Sequence, residues 1–267
     1  MRKLAEWIFV VLNKWRPFQA STASVSAAPS VQTTVDLGGN WHSVFPTDSG
    51  VKTSGYARLF SDERAGWAIE RLGGVSGLDI LELGPLEAGH TYMLDRAGAR
   101  SVTAIEALKS AYLKCLIAKE VLDIKSAHFL LGNFVPWLES ESRRFDVIWV
   151  SGVLYHMTEP LRLLELISSR TDKIYLWTHF YRDEALPSHL RVRNVSLAGE
   201  TIPQFERPYF MIGKRPSCGG VYTGRAWLRR SDILKALEIL GFTRIEIAFE
   251  DVSSQLGPSF ALVAQRA

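Results

Sequence analysis

Residues 77–107 constrain this chain more than any other stretch, because they read as one strand, a glycine turn, a helix and a second strand closing on an acid. Leu78-Asp79-Ile80-Leu81-Glu82-Leu83 is a mostly apolar run of strand length, and Gly84-Pro85-Leu86-Glu87-Ala88-Gly89 cannot continue it. The chain must turn there. Met93, Leu94 and Ala97 then fall at helical spacing, Gly98 supplies a helix stop, and residues 101–105 are β-branched enough for a strand that ends on Glu106. Such a unit is the first half of a nucleotide-binding α/β sheet. Glycine lets its backbone approach a ligand closely, and a carboxylate at the end of the second strand can accept hydrogen bonds from both hydroxyls of a ribose.

Strand and helix go on alternating downstream. Leu113, Leu116, Ile117 and Val121 form a helical stripe after Glu106, and Leu163, Leu164 and Ile167 form another after a strand over residues 145–150. Lys173-Ile174-Tyr175-Leu176-Trp177-Thr178 reads as a fifth strand. Unbroken alternation predicts a parallel sheet with helices on both faces, whose ligands bind beyond the carboxyl ends of the strands. After residue 181 the alternation stops for about 50 residues, longer than an ordinary α/β connection. Residues 182–230 hold nine Lys or Arg against four acids, an excess of five where the whole chain has three, with aromatic residues interleaved. A basic, aromatic cap of this kind suits an anionic acceptor with planar parts, whereas the bland reading is a salt-bridged lid. Ser231 starts a last helix that Gly241 closes, and two alternating runs over 242–249 and 259–264 return as a hairpin.

The glycine spacing speaks to the ligand. A dinucleotide fold wants Gly-x-Gly-x-x-Gly opening a helix that receives pyrophosphate. Here Leu86 stands at the second glycine position, with no basic residue near it in sequence. The pattern acid-x-Gly-x-x-x-(Ala/Gly)-Gly instead resembles the first motif of the class I S-adenosylmethionine (SAM) methyltransferases, with Glu82 as its acid and Gly84 as its first glycine. Leu130-Leu131-Gly132-Asn133-Phe134 ends a third strand with a polar side chain where that family places its adenine-binding residue. Ser151-Gly152-Val153-Leu154-Tyr155-His156-Met157 resembles the loop that covers the donor, and its Leu-Tyr-His is similar to the tRNA wobble-uridine carboxymethyltransferases and related bacterial enzymes. The likeness spans residues 62–180 and departs from the family at Leu86 and at Asn133, where Asp is common. An Asn side chain still bonds an adenine edge.

The resemblance implies a Rossmann-like, seven-stranded, mostly parallel sheet with an antiparallel C-terminal hairpin, and SAM as cofactor. Glu82 is expected to orient the glycine loop and meet the donor's methionine part, Glu106 to take the ribose, and Asn133 and Phe134 to flank adenine. Pro85, Leu86, His90, Ala107, Ser151, Gly152 and Tyr155 complete the expected donor set. Since SAM carries an activated methyl, catalysis is mostly alignment of the acceptor. If the acceptor is a hydroxyl or amine, a base takes its proton, and His179 at the end of the fifth strand comes before His156 for that role. Tyr155, Tyr181, Arg182, Tyr222 and Arg225 are the expected acceptor contacts, and no metal site is expected. The function this implies is methyl transfer to an oxygen or nitrogen of a small anionic or aromatic acceptor. The alternatives are a tRNA carboxymethyltransferase using a carboxylated SAM, for which RNA would be the partner, and a nucleotide-binding regulator without catalysis.

The ends of the chain are read by composition. With 267 residues, 47% of them hydrophobic, and a net charge of +3, it buries a full core and lacks the basic bias of a dedicated nucleic-acid binder. Leu4, Ile8, Val11, Leu12 and Trp15 share a helical face, so residues 1–19 are expected as an amphipathic helix that docks on its own domain, on a partner, as in a dimer, or on a membrane surface. Glu6, Asn13, Lys14 and Arg16 interrupt the apolar run that a signal peptide or membrane span needs, which makes the expected location cytoplasmic. Residues 20–35 read as a linker, 36–76 as a lid or edge segment, 77–181 as the SAM-binding core, 182–230 as the cap and 231–267 as its completion. Cys115 and Cys218 show no redox or metal spacing and are expected as reduced thiols.

Overall fold

Alternate residues of the central strands point to opposite sides, and on both sides they are apolar. That is the pattern of strands covered by helices above and below. The structure, a computed structural model, describes residues 24–183, 191–208, 224–254 and 257–267; the expected helix over 1–19, Tyr222 and Cys218 lie outside them. Residues Val31–Ala267 form one unit. In chain order its elements are α1 (Val31–Asp36), α2 (Glu63–Arg71), β1 (Asp79–Leu83), α3 (Gly89–Arg96), β2 (Ser101–Glu106), α4 (Lys109–Val121), β3 (Ala127–Leu131), α5 (Phe134–Ser140), β4 (Val147–Ser151) and α6 (Pro160–Ser168). There follow β5 (Lys173–His179), β6 (Arg191–Leu197), β7 (Glu200–Pro208), β8 (Gly224–Trp227), α7 (Arg230–Ile239), β9 (Arg244–Asp251) and β10 (Ser259–Gln265).

The main sheet has seven strands in the order β3-β2-β1-β4-β5-β10-β9. Strands β1 to β5 run parallel, and β10 lies antiparallel between β5 and β9. On one face Leu81, Leu83, Ile148, Val150, Ile174 and Leu176 pack against α5, α6 and α7. On the other, Ile80, Val102, Ala104, Trp149 and Tyr175 pack against α2 and α3. The order reverses between β1 and β4, so their carboxyl ends diverge into a crevice there.

Two additions frame that crevice. Residues 36–62 lie over α3 and α4 through Trp41, Phe45 and Phe60, and Glu87 anchors them. The Glu87 carboxylate is buried, accepts the backbone N–H groups of His42 (2.8 and 3.0 Å) and Ser43 (2.8 Å), and pairs with Lys114 (2.7 Å). Gly89 is required by this packing, because a Cβ there would lie 2.7 Å from the backbone carbon of Leu59. The second addition is the antiparallel sheet β6-β7-β8 that follows β5. In and beside it, Arg193 pairs with Glu206 (2.6 Å), Arg229 with Asp183 (2.6 Å) and Arg230 with Glu250 (3.0 Å). Within the described part, three arginines of the basic run are thus held in ion pairs.

Candidate active site

A cavity of about 430 Å³ opens at the carboxyl ends of the parallel strands, a size typical of small-molecule sites. Every residue expected from the sequence to hold the donor lines it: Glu82, Gly84, Pro85, Leu86, His90, Glu106, Ala107, Asn133, Phe134, Ser151, Gly152 and Tyr155. So do His156 and His179. Tyr181 does not; it is buried under the cap, stacked on Phe205 at 3.7 Å. Arg182 donates to the backbone oxygen of Val252 at 3.3 Å, and Arg225 lies over the Trp227 ring at 5.3 Å, so neither is among the residues lining the cavity.

The turn after β1 explains how the site does without a second glycine. Gly84, Leu86 and Ala88 all have positive φ, at 66°, 56° and 65°, so Leu86 itself adopts the left-handed conformation that a glycine would take freely. In this conformation the Leu86 N–H donates to Glu106 Oε2 (3.1 Å), while the Leu108 N–H donates to Oε1 (2.8 Å). A carboxylate offers about four acceptor positions, so about two remain, one on each oxygen. Burial raises the Glu106 pKa, and the backbone N–H donors oppose that shift. Glu82 is buried too, accepts the Thr91 hydroxyl, and is pushed up to about 7, chiefly by burial. Glu82, Glu87 and Glu106 thus surround the turn with carboxylates, and the one nearby lysine, Lys114, is held by Glu87. These groups fit a ribose and oppose a pyrophosphate.

Asn133 caps α5, its Oδ1 accepting the Val135 N–H at 3.0 Å, which leaves its amide N–H groups as donors for an adenine edge. His90 is committed elsewhere. Its Nδ1 accepts the indole N–H of Trp149 (3.0 Å) and its Nε2 lies 2.9 Å from Asp62 Oδ2, so both ring nitrogens serve the protein although the residue lines the cavity. Asp62 caps α2 by accepting the Arg64 N–H at 2.9 Å. The Asp62 carboxyl is held well below the usual range: burial pushes it up, but hydrogen bonds from His90 and Arg64 outweigh that.

At the other end of the cavity, His179 lies against Tyr155 (4.6 Å between ring centroids) and is stacked on Trp227 of β8 (5.8 Å, 7°). Its Nδ1 faces the carbonyl oxygens of Gly257 (3.0 Å) and Pro258 (3.2 Å). Carbonyls only accept, so Nδ1 carries the proton and Nε2 is the basic nitrogen. Burial lowers the His179 pKa; the two carbonyls oppose this, and Arg225 and Arg64 add to it. His156 falls further, to about 4, through burial and the neighbouring Arg225. Gly152 has φ of 74°, the left-handed conformation that glycine adopts freely, and a Cβ there would lie in ordinary contact with the Trp177 ring at 3.5 Å.

Sequence reasoning left eight of the lining residues out of the expected site, among them Trp177, His42 and Arg64. Trp177 carried a signal, since it sits two residues before His179 and the period of two turns both to the same side. His42 and Arg64 arrive through long-range packing of the segment before β1.

No protein-family model matches the chain. A tRNA U34 carboxymethyltransferase from Colwellia psychrerythraea (strain 34H / ATCC BAA-681) is 23% identical over 189 residues, covering 69% of this chain and 51% of the relative. The chain therefore spans about half the length of the curated relative it matches. Among solved structures, the N-terminal domain of EvdMO1 in the presence of SAH and D-fucose superposes with a TM-score of 0.68 at 24% identity, covering 89% of this chain and 95% of that one. Magnesium protoporphyrin IX methyltransferase (ChlM) from Synechocystis PCC 6803 with bound SAH gives a TM-score of 0.51 at 16% identity, with each chain covered in full. The fold is that of the class I SAM-dependent methyltransferases. The lining of the cavity suits a nucleoside donor without phosphate, the chemistry of SAM. No described helix is long and apolar enough to cross a membrane.

Proposed function

We propose that this protein is a SAM-dependent methyltransferase that methylates a hydroxyl oxygen of a small acceptor, with His179 as general base. The observation that carries this reading is the pair of carbonyl acceptors at His179 Nδ1, which fixes the tautomer and leaves Nε2 to take a proton. His156, at about 4, is too weakly basic to compete near neutral pH. SAM supplies a methyl group already activated by its sulfonium. The protein's tasks are to grip the nucleoside, at Glu106 through the ribose and at Asn133 and Phe134 through adenine, and to set the acceptor between donor and His179. Tyr155 and Trp177 wall that space, so they orient a flat or ring-shaped acceptor. The EvdMO1 domain is described in the presence of D-fucose, and a sugar hydroxyl is the kind of group whose methylation benefits from a base.

The test is a panel of monosaccharides and hydroxybenzoates incubated with SAM and protein, followed by mass spectrometry for a methylated product. A product from wild type that is lost in His179→Gln supports the reading. Methylation confined to amines, or undiminished in His179→Gln, refutes it. Preference for a carboxylated SAM with tRNA would replace it by carboxymethyl transfer, and tight SAM binding with no turnover on any acceptor would favour a regulator.

A further inference from the structure

Arg64 is the sole Lys or Arg among the described residues lining the cavity. Its Nε and Nη2 both bond Asp62, at 2.9 and 2.5 Å, and its guanidinium lies 4.4 Å over the Trp177 ring. One edge of the fork is thus held by a carboxylate and one face by an indole. The remaining nitrogen, Nη1, meets no hydrogen-bond acceptor among the described residues. Asp62 is in turn fixed by His90, which is fixed by Trp149, so the guanidinium rests on a buried chain of groups that leaves it little choice of direction. The Arg64 side chain keeps 25% of its exposure while Asp62 keeps 7%.

We infer that Arg64 is a carboxylate-binding residue of this cavity, held on Trp177 by Asp62 so that its unengaged edge meets an acidic group of a bound molecule. A strut for α2 would not need this arrangement, because Asp62 already caps the helix through the Arg64 backbone N–H. Two molecules can bring the carboxylate: the aminoacyl arm of the donor, or an acidic acceptor. A planar fork with one edge already paired is preorganised for the second anion, and such a charge-assisted contact changes affinity about 10- to 100-fold.

The inference rests on the donor reading above, and calorimetry separates the two. Wild type, Arg64→Met and Arg64→Lys are titrated with S-adenosylhomocysteine and with 5′-deoxy-5′-methylthioadenosine, which keeps the nucleoside and sulfur but lacks the aminoacyl arm. If the donor supplies the carboxylate, Arg64→Met weakens the first ligand about 10- to 100-fold and leaves the second unchanged, with Arg64→Lys between. If the acceptor supplies it, both nucleosides bind Arg64→Met normally, and benzoate binds the S-adenosylhomocysteine complex of wild type but not that of Arg64→Met. Equal binding of all three probes to wild type and Arg64→Met overturns the inference alone. Wild type that binds neither nucleoside overturns the donor reading and this inference with it. Should Arg64→Met fail to melt cooperatively, the ratio of the two nucleoside affinities in Arg64→Lys decides, since that variant keeps the charge and loses only the fork.

Discussion

Replacing Glu106 by alanine probes the grip on the donor. The Glu106 oxygens each spend one acceptor position on a backbone N–H, from Leu86 at 3.1 Å and from Leu108 at 2.8 Å. What remains matches two ribose hydroxyls, one per oxygen. A hydrogen bond to a charged group contributes about 1.5–3 kcal/mol, so losing two removes about 3–6 kcal/mol before relaxation. Water enters the space left by the side chain and satisfies part of both the hydroxyls and the two N–H groups. The net effect is a rise in Kd of about 100- to 1,000-fold. Glu106→Gln, which keeps one acceptor oxygen, should lose about tenfold. The measurement is calorimetric titration with S-adenosylhomocysteine, with NAD as the counter-ligand and thermal melting as the control for folding. If Glu106→Ala binds the nucleoside within threefold of wild type while melting normally, the carboxylate does not hold the ribose. NAD binding more tightly than S-adenosylhomocysteine to wild type would refute the ligand class.

Further outcomes follow from the same geometry. His179→Gln should lower the methylation rate about 100- to 10,000-fold with little change in S-adenosylhomocysteine affinity, as read by product formation and calorimetry. Because burial and nearby cations lower the His179 pKa, the neutral base persists as pH falls, and the acid limb of the rate profile should have its midpoint below the ordinary histidine value of 6.5. Glu82, raised to about 7 from 4.5, binds its proton more tightly folded than unfolded, so wild type loses stability as pH rises from 4.5 to about 7 and no more beyond. Glu82→Gln, a neutral isostere, should match wild type in acid and exceed it by about 3 kcal/mol above neutrality in chemical denaturation at a series of pH values. Gly89→Ala places a Cβ 2.7 Å from the Leu59 backbone carbon, which should destabilise by about 1–3 kcal/mol and weaken nucleoside binding as residues 36–62 shift.

The sheet and the donor face were legible in the sequence for one physical reason. A strand's period of two and the turn after it determine which residues stand at the carboxyl end, and Glu82, Glu106, Asn133 and His179 needed nothing more to be brought to one crevice. Long-range partners were not legible. Arg64 carried no signal of its own, because its pairing with Asp62 is local, while His90 and Trp149 steady Asp62 and Trp177 meets the guanidinium only once α2, α3, β4 and β5 are packed. The cap's charge excess suggested an anion-binding surface, but counting charges carries no information on which of them face Glu206, Asp183 or Glu250. Leu86 misled in a milder way: its position demands positive φ, and a leucine adopts it at a cost of about 1–2 kcal/mol rather than yielding the place to glycine.

The antiparallel end of the sheet also has a chemical consequence. Ser259 of β10 pairs with His179 of β5, so the turn before β10 comes back beside the carboxyl end of β5. A parallel neighbour in that place would present the end of its own strand, and its connection would leave upward toward a helix. The reversed strand instead delivers the carbonyls of Gly257 and Pro258 to the imidazole as part of the backbone. Proline has no N–H, so residue 258 can act on the ring only through its carbonyl oxygen. Gly257 has φ of 112°, and a Cβ there would lie 2.9 Å from the Trp227 ring, which itself covers His179. The tautomer of the proposed base is thus set by sheet topology rather than by a neighbouring acid, which leaves Nε2 unprotonated without adding negative charge to the cavity.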